Sequence, residues 1–201
     1  MKIICVGRNY VAHAKELGNE APTEPVIFLK PDSSILNQRE PFYIPDFSND
    51  IHYETELIIR INRIGKHINE KFAHKYYDQI SIGIDFTARD LQQKLKEKGL
   101  PWELAKGFDR SAVVGKWQNK ENFTAPYTFT MHLNKQLAQQ GDTSLMLFSI
   151  DKIIAFVSQY YTLKIGDIIF TGTPSGVGKV SPGDVLIGHL EDVECFKVKI
   201  K

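Results

Sequence analysis

Apolar residues recur at every second position, or in short β-branched runs, through most of the chain. This pattern predicts strands near Ile3–Val6, Val26–Leu29, Ile51–Ile61, Ile80–Asp85, Tyr127–Leu133, Asp167–Phe170, Val185–Ile187 and Val193–Ile200. Two stretches carry helical spacing instead. Ala88–Lys98 has Thr87 as N-cap, Asp90 in the first turn, Leu91 and Leu95 one turn apart, and Gly99 and Pro101 as stop signals. From Ile150 to Tyr161 the residues Ile150, Ile153, Ile154, Val157, Tyr160 and Tyr161 share one face, so this helix packs on a sheet. Shorter helices are expected near Tyr10–Leu17 and Glu70–Tyr77, and tight turns at Lys164-Ile165-Gly166-Asp167 and Pro182-Gly183-Asp184. Strands do not alternate regularly with helices, which disfavours a doubly wound parallel sheet. The expectation is an α+β, β-rich fold, a mixed and largely antiparallel roll with a few packed helices, spanning 1–201 as a single domain.

With 201 residues and 42% apolar content, one continuous core needs no help from disulfides or a structural metal, so any metal is free for chemistry. Cys5 and Cys195 sit in strand-like apolar stretches near opposite ends, as suits buried thiols in a reducing compartment. Lys and Arg number 25 against 24 Asp and Glu, a net charge of +1, and no dense basic run occurs, so neither nucleic acid nor a membrane is an expected partner. The opening Met1-Lys2-Ile3-Ile4-Cys5-Val6-Gly7 is too short for a signal-peptide core, and no apolar run approaches the roughly 18 residues of a membrane span. A cytoplasmic location is expected.

The chemistry-bearing pattern lies in Ile51–Ile61. A two-residue period puts His52, Glu54 and Glu56 on one face and Tyr53, Thr55, Leu57, Ile59 and Ile61 on the other, core-like face. The two glutamates have Cα atoms about 7 Å apart, near enough for their carboxylates to converge. Such a pair repels itself unless a cation sits between, and hard oxygen donors without a Cys or His cluster point to Mg²⁺, Mn²⁺ or Ca²⁺. A solvated strand face carries similar residues, so a third acid matters. Asp85 ends the buried-looking run Ile80-Ser81-Ile82-Gly83-Ile84, where it is either a third ligand or a helix-capping group, depending on whether the two strands pair.

Further segments share an order with these: Gly7-Arg8-Asn9-Tyr10 followed by His13-Ala14-Lys15-Glu16, Phe28-Leu29-Lys30-Pro31, His52-Tyr53-Glu54-Thr55-Glu56, Asp85-Phe86-Thr87-Ala88-Arg89-Asp90, Lys106-Gly107-Phe108-Asp109, and Thr171-Gly172-Thr173-Pro174. Together they resemble the fumarylacetoacetate hydrolase family, in particular its short acylpyruvase and oxaloacetate decarboxylase branch, over nearly the whole chain. The resemblance implies a mixed β-sandwich roll, a homodimer, and Glu54, Glu56 and Asp85 as ligands of one divalent ion. The expected reaction is hydrolysis of the C–C bond of a 3-acylpyruvate such as acetylpyruvate or fumarylpyruvate, with decarboxylation of oxaloacetate as a second activity. An isomerase or decarboxylase acting on a 2-hydroxyhepta-2,4-diene-1,7-dioate-like diacid is the alternative. One departure is visible, since Arg110-Ser111 follows Phe108-Asp109 where many relatives carry a proline.

Breaking a bond to C3 of such a small 2-oxo acid leaves a pyruvate enolate, whose developing charge a metal ion stabilises. By the resemblance, Lys106 adds a second positive charge, and His13 with Glu16 forms a base dyad on a lid covering residues 7–20, with Gly7 and Gly18 as hinges. Arg89 and Gln92 lie three apart on the expected helix and face the site together. Arg8, Lys30 and Thr173, beside turns and strand ends, complete the candidate substrate contacts. Two rivals come from other classes. Gly172-Thr173-Pro174-Ser175-Gly176-Val177-Gly178-Lys179 is like a phosphate-binding loop, but the glycine spacing is one residue too long, Val180 replaces the Ser or Thr, and a strand-like stretch follows. A non-catalytic metal-binding β protein is the other, separable by turnover.

Overall fold

The computed structural model describes residues 1–12, 21–37 and 39–201. Its main layer is an 8-stranded sheet in the order Val26–Lys30, Ile3–Gly7, Ile168–Phe170, Thr55–Ile61, Tyr77–Asp85, Ala112–Val114 and Ile35–Leu36, with Gln118–Asn119 beside the start of Tyr77–Asp85. Pairing is antiparallel except between Ile3–Gly7 and Ile168–Phe170 and between Ile35–Leu36 and Ala112–Val114. A four-stranded antiparallel sheet of Gln136–Asp142, Thr128–Leu133, Val185–Leu190 and Val193–Lys199 packs against it. A third sheet joins Gly178–Lys179, Ile51–Tyr53 and Thr87–Ala88. The β-rich, mixed roll is the expected fold class.

Burial of the main sheet on both faces explains the uninterrupted run Leu57-Ile58-Ile59. On one face Ile4, Leu57, Ile59, Ile82, Ile84 and Ile169 meet the four-stranded sheet and the Ile150–Tyr160 helix in the larger core. Each such side chain contributes roughly 1.5–3 kcal/mol by leaving water. That helix is capped by Ser149, whose hydroxyl accepts from the Lys152 amide at 3.2 Å, and buries Ile150, Ile153, Ile154 and Val157 as its spacing predicts, whereas Tyr160, expected on the same face, is exposed at the helix end. The opposite face carries a smaller cluster of Ile3, Cys5, Phe28, Ile58, Ala112, Ile168 and Phe170. Both cysteines are free and buried. The expected turns form, with Gly166 and Gly183 at positive φ.

The helix expected over Glu70–Tyr77 is cut to Glu70–Ala73 because Tyr77 opens a strand, and three further differences from the pattern-based reading shape the site. The single strand expected over Ile51–Ile61 breaks at Glu54, so Ile51–Tyr53 joins the small sheet while Thr55–Ile61 enters the main one. The Thr55 amide freed by the break is taken by the Gln139 side-chain oxygen at 2.9 Å. The helix expected from Ala88 runs Arg89–Glu97, with Ala88 at its cap position, and Thr87 lies in a strand, its hydroxyl turned to the interior. Gln136–Asp142 pairs as a strand although its residues are mostly polar and give no apolar alternation. Within the stretch 7–20, Asn9 and Tyr10 are packed into the body, and residues 13–20, including His13, Glu16 and Gly18, lie outside the described residues.

Gly83 sits directly across the ladder from Glu56. A Cβ there would meet the Val113 carbonyl oxygen at 2.4 Å and the Phe170 ring at 2.9 Å. Backbone cannot yield as a side-chain tip can, so Gly83→Ala is expected to destabilise the fold by about 1–3 kcal/mol, as overpacking does. Urea unfolding checks this, and an unchanged midpoint would show that the Val113 strand can shift.

Candidate metal centre

Antiparallel pairing of Thr55–Ile61 with Tyr77–Asp85 sets Thr55 opposite Ile84 and Glu56 opposite Gly83, while the Asp85 amide donates to the Glu54 carbonyl at 2.8 Å. The three acids thereby converge. Glu54, Glu56 and Asp85 are all buried, and one carboxylate oxygen from each lies within 4.8 Å of the others. His52 has another partner: its Nε2 lies 3.0 Å from Asp50 Oδ1.

Three cations hold two of these anions, Glu54 and Asp85. Lys106, the last residue of the short Glu103–Lys106 helix, places Nζ 2.9 Å from Glu54 Oε2, 2.6 Å from Asp85 Oδ2 and 2.6 Å from Thr87 Oγ1. Lys30 ends its strand in the interior at 1% exposure, with Nζ 2.7 Å from Asp85 Oδ1. It also donates to Ser111 Oγ at 2.9 Å and to the carbonyls of Ser111 and Lys106. Arg89, at the helix start, pairs with Glu54 Oε1 through Nη2 at 2.5 Å and donates to Gln92 Oε1 through Nη1 at 2.7 Å. Burial opposes the charge on Lys106, yet Asp85 and Glu54 outweigh it and hold the ammonium above the ordinary lysine range.

Glu56 is the least compensated acid. Burial, then Asp85, then Glu54 push its carboxyl well above the usual carboxylate range, against which stand the Gly172 amide, donating to Oε2 at 2.6 Å, and the more distant Lys106. Gly172 has φ +104, and a Cβ there would lie 2.6 Å from Asn9 Cβ, so only glycine brings this amide to Glu56. Asn9 locks the loop by donating to the carbonyls of Thr171 at 2.7 Å and Phe148 at 3.0 Å and accepting from the Phe148 amide at 2.8 Å. Thr173 donates to the Thr55 carbonyl at 2.9 Å and accepts from Gln139 Nε2 at 2.9 Å. Arg8, at φ 61, lies with its guanidinium 5.9 Å from the centre of the Trp102 ring. Arg110 adopts φ 64, which a proline ring excludes, and this turn delivers Ser111 to Lys30.

Sequence reasoning gave no site role to Asn9, Ser111 or Gln139 and read Thr87 as a helix cap. Each is a polar residue with a partner distant in sequence and invisible to local spacing. The donor set fits a hard divalent cation: oxygen only, buried, mutually repelling and incompletely neutralised at Glu56.

Comparison with known proteins agrees with this architecture. The fumarylacetoacetate (FAA) hydrolase C-terminal domain matches residues 2–200. Oxaloacetate tautomerase FAHD1, mitochondrial, of Bos taurus is 40% identical over 201 residues, covering 99% of this chain and 91% of that protein. Oxaloacetate decarboxylase, mitochondrial, of Dictyostelium discoideum is 44% identical over 188 residues, covering 92% and 86%. The crystal structure of fumarylpyruvate hydrolase from Pseudomonas aeruginosa in complex with Mn²⁺ and pyruvate superposes with a TM-score of 0.94 at 31% identity, covering 100% of this chain and 89% of that one.

The uneven compensation makes a prediction of opposite signs. Glu56→Gln keeps an acceptor for Gly172 but removes one of three crowded charges, so the metal-free variant should melt at or above the wild-type temperature. Mg²⁺ or Mn²⁺ should stabilise the wild type by about 2.7 kcal/mol at a hundredfold excess over Kd and the variant hardly at all. Thermal melts with chelator and with metal measure both, and an equal metal-dependent gain in the variant would remove Glu56 from the ligand set.

Proposed function

This chain belongs to the fumarylacetoacetate hydrolase family, and on that footing we propose that it is a divalent-metal-dependent enzyme that makes and consumes the enolate of a small 2-oxo acid. Oxaloacetate is the first substrate, by tautomerisation or decarboxylation, and 3-acylpyruvates, by hydrolysis, are the second. The observation carrying this reading is the convergence of Glu54, Glu56 and Asp85 beside a buried Lys106. The relatives named oxaloacetate tautomerase and decarboxylase support the first substrate, and the fumarylpyruvate hydrolase with Mn²⁺ and pyruvate supports the second. Mg²⁺ and Mn²⁺ are the proposed cofactors, with Ca²⁺ able to occupy the same oxygen cage.

A divalent ion in the triad supplies Lewis-acid stabilisation of the charge that develops on the 2-oxo oxygen. Lys106, held in place by Asp85 and Thr87, adds an ammonium positioned to donate a hydrogen bond. Lys30 and Ser111 hold Asp85 and the Lys106 backbone from behind. Arg89 orients Glu54 and, with Gln92, lines the helix side of the site.

Charge accounting favours a dicarboxylate. Three acids face three cations, so the floor is formally neutral before metal and doubly positive after it, which an oxaloacetate dianion matches. Hydrolysis of an acylpyruvate also needs a water deprotonated near C4, a task we assign to His13 with Glu16. The functional unit is proposed to be a homodimer.

Turnover of oxaloacetate and acetylpyruvate is therefore expected with Mg²⁺ or Mn²⁺ and abolished by chelation. His13→Ala should lower kcat/KM for acetylpyruvate by about 10²- to 10⁴-fold, the size of a general-base contribution, and that for oxaloacetate decarboxylation much less. Full activity in chelator would remove the metal reading, and equal losses on both substrates would remove the assigned role of His13.

A further inference from the structure

We propose that Gln139 is a positioning residue of the metal centre, and that affinity for a divalent ion depends on it although it is no ligand. The inference rests on the function proposed above and names a residue that sets the geometry of that same site. Glu54 and Glu56 flank Thr55, so the setting of the Thr55 backbone decides how their carboxylates converge. The ladder alone does not fix that backbone, since the strand breaks at Glu54. A closed ring of hydrogen bonds does. The Thr55 amide donates to Gln139 Oε1 at 2.9 Å, Gln139 Nε2 donates to Thr173 Oγ1 at 2.9 Å, and the Thr173 hydroxyl donates back to the Thr55 carbonyl at 2.9 Å.

Only a primary amide of this length closes the ring. The Thr55 amide can only donate, and the Pro174 carbonyl, 3.0 Å from Gln139 Nε2, can only accept, so the partners fix the orientation of the side-chain amide. An ionised glutamate lacks the donors, a methionine lacks both functions, and an asparagine is one methylene too short. Gln139 is buried in a strand of the four-stranded sheet, whereas Thr55 belongs to the main sheet. The ring is therefore a polar tie between two layers, made at the residue between two of the three acids. Gly176, at φ +95, lets the loop beyond Pro174 lie against the same strand, where a Cβ would stand 2.5 Å from the Ala138 carbonyl oxygen. The loop so anchored also carries Gly172, whose amide donates to Glu56. One buried side chain thus governs both the backbone between Glu54 and Glu56 and the loop that supplies the donor to Glu56. Outer partners that orient metal ligands typically account for a tenfold to hundredfold share of metal affinity. Hydrogen bonds closed in a network also reinforce one another.

The test is calorimetric titration of Mg²⁺ and of Mn²⁺ into chelator-stripped protein, well below the melting temperature of each variant. It compares wild type, Gln139→Met, Thr173→Val, the double variant and Ile154→Val. Gln139→Met roughly keeps the volume and removes every hydrogen bond of the amide, so Kd should rise about tenfold to a hundredfold. Thr173→Val opens the same ring from the loop side, should also raise Kd, and carries the test should Gln139→Met not fold. In the double variant the loss should be no larger than in the worse single one, because the ring is already open. Ile154→Val, a truncation in the larger core, should lower the melting temperature and leave Kd unchanged, which separates positioning from stability. Wild-type Kd in Gln139→Met or in Thr173→Val, additive losses in the double variant, or an equal loss in Ile154→Val overturns the role of Gln139 and leaves the proposed function standing. A wild type that takes up neither ion overturns both.

Discussion

Three carboxylates buried within 4.8 Å of one another are the constraint around which this fold is arranged. Each would be costly alone in a low-dielectric interior, and together they repel. The chain answers with charge: Asp85 lies between two ammonium groups, at 2.7 Å from Lys30 and 2.6 Å from Lys106, and Glu54 between Lys106 and Arg89. Lysine is rarely enclosed unless paired, so the near-complete burial of Lys30 and Lys106 reflects the acids they serve. Glu56 has no ion pair of its own among the described residues and depends on a single backbone amide, which makes it the place where an added cation gains most.

That amide reaches Glu56 through a chain of local necessities. Gly172 must be glycine because of its positive φ and the approach of Asn9. Asn9 must be an amide because it both donates and accepts across the Thr171 and Phe148 backbones. Gln139 plays the matching part on the other side, receiving the Thr55 amide left by the break at Glu54 and tying Thr173 and Pro174 to it. Bending the strand at Glu54 lets one segment serve two sheets, and the small sheet it joins brings Thr87 under Lys106. The fold is thus specified at the site by polar residues whose hydrogen bonds close only when distant segments meet.

These facts explain what the sequence made legible. The two-residue period brought Glu54 and Glu56 to one face because that geometry survives the bend, and helical spacing found the Ile150–Tyr160 helix because its apolar face is wide and its cap is a serine. The spacing of Arg89 and Gln92 likewise translated into contact. The bend itself was not legible, since nothing in His52-Tyr53-Glu54-Thr55 breaks a strand by local chemistry; the break depends on Gln139, 84 residues away. Thr87 looked like a helix cap because a hydroxyl before a helical run usually is one, whereas here a buried ammonium claims it. Gln136–Asp142 gave no strand signal because its buried members are a glycine and a glutamine, the latter placed inside to satisfy backbone rather than to bury apolar surface.

The site also divides its charges by depth. On the floor, the cations are consumed by the acids: Lys30 has its hydrogen-bonding capacity met within the protein, and Lys106 is shared among Glu54, Asp85 and Thr87. Groups so engaged answer first to the buried acids beside them. Arg89 stands at the boundary, with one guanidinium nitrogen on Glu54 and another on Gln92. The electrostatic problem of the three acids is therefore solved within the central ladder and the segments beside it, and the Arg89–Glu97 helix contributes to it through Arg89 and Gln92.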